Sequence, residues 1–229
     1  MRTLHFPHET ARSAPTLLIM LPGAFQQPED LLQNGLVDTV RASGLPIDVT
    51  LADLDIVSTI DILDGAVLRN LHDLVTTQRT QPAQRIWLAG ISVGGLIALR
   101  YAASHADEID GVWLLGPYPG NRILLNEIRT AGGPHRWADT TAAVDDGEAF
   151  AWRWLAGRLH HPTSPFIRLA WGEDDRFAAG QRLMAEALPP DCAGAVAGAH
   201  DWPAWTLMWQ RFVDHAATMP HERGAHGDD

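Results

Sequence analysis

Between residues 16 and 217, short apolar runs alternate with longer amphipathic stretches, and no other feature of the sequence constrains the fold as tightly. A strand covered on both faces reads as a continuous apolar run; a helix lying on a sheet shows apolar residues at a 3.6-residue period. Thr16–Leu21, Ile47–Leu51, Arg85–Ala89, Gly111–Leu115, Phe166–Trp171 and Ala193–Ala197 carry the first pattern. Glu29–Ala42, Ile60–Thr77, the stretch after Gly90 to about Ser104, Phe177–Leu188 and Asp201–Ala217 carry the second. The alternation predicts an α/β fold with a mostly parallel sheet flanked by helices on both faces. At 229 residues the expectation is a single domain over 1–219 with a polar tail at 220–229. One segment, about 120–165, breaks the alternation and suits a helical insertion. It carries Trp137, Trp152 and Trp154, an aromatic density that fits either anchoring to the body or an apolar lid over a ligand.

Composition narrows the function. All 17 basic residues are arginine, against 28 acidic residues, for a net charge of −11. The absence of lysine excludes a lysine Schiff base, pyridoxal-phosphate attachment and a phosphate loop of the usual kind. The acidic balance argues against nucleic acid, which needs clustered positive charge. Cys192 is the one cysteine, so neither an intrachain disulfide nor a cysteine-rich metal site is expected. His160-His161, before Pro162, lacks partners at metal-ligand spacing and reads as surface. No metal and no cofactor are expected. The amino terminus shows no secretory signal, and the run Leu17–Leu21 is too short to span a bilayer; a cytoplasmic location is expected. Oligomeric state has no signature in the sequence.

The chemical signal is Gly90-Ile91-Ser92-Val93-Gly94, a G-x-S-x-G pattern between an apolar strand and a helix. A strand-to-helix turn that sharp crowds neighbouring side chains, so glycines flank the serine and its oxygen projects at a helix amino terminus. A serine nucleophile needs a base, itself oriented by an acid, and in this context their chain order is serine, acid, histidine. His215 falls inside the closing helix, and His221 and His226 in the tail; His200, in Ala199-His200-Asp201-Trp202-Pro203, occupies a loop after a short strand. For the acid, Gly172-Glu173-Asp174-Asp175 follows a strand; Asp175 is the choice and Asp174 the competitor. Asp201 reads as a cap for the closing helix. The oxyanion donors are expected at the Val93 N–H and, from Pro22-Gly23-Ala24-Phe25, at Ala24, with Phe25 second.

These motifs resemble the α/β-hydrolase superfamily over roughly residues 14–217, and the His200 loop resembles that of its small serine esterases. One departure is Pro22-Gly23 where many members have His-Gly; the chain is also short, so the amino-terminal antiparallel strands are expected to be reduced or missing. The resemblance implies a serine hydrolase acting on a small apolar carboxylic ester through an acyl-enzyme, with Phe25, Tyr118 and Trp152 offered to the substrate. A thioesterase or acyltransferase on the same three residues is the nearest alternative. A non-catalytic binding protein on the same fold is the alternative of another class.

Overall fold

The computed structural model describes residues 1–9, 14–53, 65–140, 147–157 and 165–218. Among them, strands β1 (Thr3–Phe6), β2 (Thr16–Leu21), β3 (Ile47–Ala52), β4 (Arg85–Ile91), β5 (Gly111–Leu115), β6 (Phe166–Gly172) and β7 (Ala193–Val196) form one sheet, in the order β1-β3-β2-β4-β5-β6-β7. β1 runs antiparallel to β3, and every other pairing is parallel. The helices, in chain order, are α1 (Pro28–Gln33), α2 (Leu36–Ala42), α3 (Gly65–Gln78), α4 (Val93–Ser104), α5 (Arg122–Thr130), α6 (Pro134–Thr140), α7 (Gly147–Gly157), α8 (Ala178–Ala185) and α9 (Trp202–Thr218).

The strands' apolar runs divide between two cores according to the period of two. Leu17, Ile19 and Leu21 of β2, with Ile86 and Leu88 of β4, pack under α3, α4, α7 and α8. Leu18, Met20, Trp87 and Ala89 face the other way, onto α1, α2 and α9. Burial on both faces is why β2, β4 and β5 are almost continuously apolar, whereas β3 alternates and buries Asp48 and Thr50.

One element differs from the sequence expectation, and one expected reduction can be described. The stretch expected as one helix over Glu29–Ala42 is two, α1 and α2, because Gly35 takes φ 75°, a left-handed conformation that stops the first helix. One amino-terminal antiparallel strand is present: β1 pairs Thr3–Phe6 with Ala52–Val49. The expected start of α3 at Ile60 and the 220–229 tail lie outside the described residues, as does His160-His161. Among those described, no helix is long and apolar enough to cross a membrane.

Candidate active site

β4 ends at Ile91 and α4 begins at Val93, so Ser92 alone makes the reversal, with φ 51° and ψ −114°. A residue with a Cβ is strained there, and such strain persists only where the surroundings over-determine it. Here they do. Ser92 N–H donates to Leu115 O (3.1 Å), and Ser92 O accepts from the N–H groups of Gly95 (3.1 Å), Leu96 (3.3 Å) and Tyr118 (2.8 Å). The flanking glycines are required by space: a Cβ on Gly90 would lie 2.3 Å from the Gly94 main chain, and one on Gly94 would lie 2.4 Å from the carbonyl oxygens of Leu21 and Pro22.

Asp175 and His200 are brought together by the ends of β6 and β7. Glu173 N–H donates to Val196 O (2.8 Å) and Asp174 N–H to Gly198 O (3.0 Å). Gly172 permits this approach, since a Cβ on it would meet Gly198 O at 2.4 Å. The outcome separates the two candidate acids. Asp174 is exposed, whereas the Asp175 side chain is fully buried and reaches the imidazole.

His200 Nδ1 lies 2.7 Å from Asp175 Oδ2, and His200 Nε2 lies 2.9 Å from Ser92 Oγ. With Nδ1–H donating to the carboxylate, Nε2 is the acceptor for the serine hydroxyl. Phe177 and Trp205 each meet the imidazole ring edge-to-face at 5.1 Å, fixing its plane. Burial pushes the Asp175 carboxyl up, but the hydrogen bonds from His200, Phe177 N–H (2.7 Å) and the Gln181 amide (3.0 Å) together outweigh it and hold the group below its ordinary value.

The loop after β2 lies over the serine: a Cβ on Gly23 would be 3.5 Å from Ser92 Cβ. Gln26 folds this loop, accepting from Gly23 N–H (2.7 Å) and donating its own N–H to Gly23 O (3.2 Å), while Phe25 takes φ 62°. Among the described residues, no acceptor takes up the N–H groups of Ala24, Phe25 or Val93. Main-chain donors left unpaired next to a strained serine can receive a developing oxyanion.

A family model for the alpha/beta hydrolase fold matches residues 67–150, the segment that contains the turn at Ser92. This chain has the α/β-hydrolase fold. No curated protein sequence matches it. Among solved structures, the fluorophosphonate-binding serine hydrolase F of Staphylococcus aureus aligns with a TM-score of 0.65 at 12% identity, over 95% of this chain and 98% of that one. The S-formylglutathione hydrolase of the same organism aligns at 0.62 and 12% identity, over 90% and 82%. Est1E from Butyrivibrio proteoclasticus aligns at 0.56 and 14%, over 94% and 90%.

Within this α/β-hydrolase fold, the three residues expected to meet a substrate stand in different places. Phe25 is 83% exposed at the loop over Ser92. Tyr118 is half-buried, its ring edge-to-face with Phe177 at 5.4 Å and its phenol pushed up by burial and then by Glu148. Trp152 is a correction: it has no exposed surface, and its indole N–H donates to Pro119 O at 2.7 Å. Trp152 and Trp137 both lie in the core, so they anchor α7 and α6 rather than offer an aromatic surface to a ligand. Two residues of the site escaped sequence reasoning. Gln181 is wholly buried and donates to both Asp175 Oδ2 and Pro117 O (3.1 Å); its signal was a polar residue on the apolar stripe of α8, three residues from Ala178 and from Met184. Trp205, in the first turn of α9, also contacts the imidazole.

Proposed function

We propose that this protein is a serine hydrolase that cleaves small apolar carboxylic esters. The carrying observation is the unbroken hydrogen-bonded relay from Ser92 Oγ through His200 to Asp175, at 2.9 and 2.7 Å. Ser92 Oγ attacks the acyl carbonyl as His200 Nε2 takes its proton, and Asp175 stabilises the imidazolium. The Val93 and Ala24 N–H groups receive the tetrahedral oxygen. His200 then returns the proton to the leaving alcohol, the acyl group stays on Ser92, and water activated by His200 releases the acid. The likeness to esterases and serine hydrolases supports the same reading, and exposed Phe25 and half-buried Tyr118 suit an apolar group of modest size.

The test is a series of p-nitrophenyl acyl esters, with matched thioesters, on the wild type and Ser92→Ala. We expect turnover of short-chain oxygen esters that disappears in the variant. Faster turnover of the thioesters would reassign the substrate class. Hydrolysis retained in Ser92→Ala would remove Ser92 from the mechanism.

A further inference from the structure

At the opposite end of α4 from Ser92, three metal-ligating side chains converge from separate parts of the chain. His72 comes from α3, His105 follows the last residue of α4, and Glu108 precedes β5. One donor atom from each lies within 4.8 Å of the others. We propose that His72, His105 and Glu108 bind one divalent transition ion, with Zn²⁺ the best match to two imidazoles and a carboxylate. This site is independent of the hydrolase reading; α4's 12 residues, at about 1.5 Å each, set it roughly 18 Å from Ser92.

The geometry needs little change. His72 Nδ1 and Glu108 Oε2 are 3.5 Å apart, close to the edge of about 3.4 Å expected for ligands about 2.1 Å from a tetrahedral ion. The surroundings are those of ligating groups. His105 Nδ1 lies 3.3 Å from Tyr101 O, a main-chain bond that fixes the tautomer and leaves the lone pair on Nε2. The Tyr101 hydroxyl donates to Glu108 Oε2 at 3.1 Å. Ring stacking of His105 on Tyr101 at 4.3 Å and on His72 at 4.9 Å holds the two imidazoles side by side. Ion entry exchanges the 3.0 Å His72 Nδ1–Tyr101 Oη hydrogen bond for a metal bond. The Arg79 guanidinium donates to the Glu108 main-chain carbonyl at 2.9 Å rather than to its carboxylate. All three ligands are half-buried, so an ion reaches them and water fills the remaining coordination.

The test uses the full chain, stripped with chelator and titrated with ZnCl₂ alone by calorimetry. We expect one ion per chain, with Glu108→Gln and His72→Gln each weakening binding by at least about 10-fold. Glu108→Gln keeps an acceptor for Tyr101, so its fold can be verified by circular dichroism. In the wild type, Zn²⁺ should protect His72 and His105, but not exposed His135, from diethyl pyrocarbonate in peptide maps. Absence of binding, binding indifferent to both substitutions, or protection lacking at His72 and His105 would overturn the proposal.

Discussion

Helix α4 has two polar ends, and they are built to different standards of rigidity. At the amino end Ser92 is nearly buried, holds a strained φ of 51° and is pinned by four main-chain hydrogen bonds. Its partners are themselves partnered: His200 by Asp175, Asp175 by Phe177 N–H and Gln181. At the carboxyl end His72, His105 and Glu108 are half-buried on unstrained backbone and share one phenol. The first end has its geometry before a ligand arrives, as chemistry on a serine requires. The second can exchange a hydrogen bond for another partner. Perturbation should therefore be severe at one end and mild at the other.

The sharpest break of that contrast is Ser92→Ala, for which we expect a loss of about 10⁶ in kcat with folding intact, by analogy with residues that act as a unit. Asp175→Asn should cost about 10⁴ in kcat, because a neutral amide neither orients nor stabilises the imidazolium. The same variant has a stability signature. Asp175 is held below the ordinary carboxylate value in the folded protein. It therefore contributes stability that is present above the unfolded value of about 3.9 and lost as pH falls through the lower folded value. Urea titrations across acid pH should show a shallower decline for Asp175→Asn than for the wild type. An equal decline in both would contradict the assignment.

Smaller effects sharpen the comparison. Gly94→Ala places a methyl against the Leu21 and Pro22 carbonyls and should destabilise by about 1–3 kcal/mol, read from the denaturation midpoint, while lowering turnover as the loop over Ser92 shifts. Gln181→Leu removes one donor from Asp175 and one from Pro117 O; about tenfold in kcat is expected, equivalent to about 1.4 kcal/mol for a buried hydrogen bond. At the far end, Glu108→Gln should leave ester turnover unchanged. A marked loss there would mean that the two ends of α4 are coupled.

The parts of this molecule that could be read from sequence are those fixed by local chemistry. The apolar runs marked β2, β4 and β5 most plainly, because strands covered on both faces have few polar positions to spare. Ser92, His200 and the Gly172–Asp175 turn stood out because their glycines and chain order reflect backbone crowding at strand ends. What escaped depends on long-range packing. β1 is four residues at a half-exposed sheet edge, too short and too mixed to show a period. Gly35 gave no sign that its left-handed turn would divide the expected helix. Tryptophans in the 120–165 segment look alike in sequence whether they face inward or outward; packing of α7 on α4 turned Trp152 into an anchor. His72, His105 and Glu108 meet across α3 and α4, so no spacing announces them.

The relay at Ser92 is tested most directly by its reactivity. The wild-type chain would be treated with a fluorophosphonate, digested and mapped by mass spectrometry, with His200→Ala alongside. We expect one phosphonyl adduct, on Ser92, formed rapidly in the wild type and lost or strongly slowed without the imidazole. An unmodified Ser92, or equal labelling with and without His200, would contradict the account.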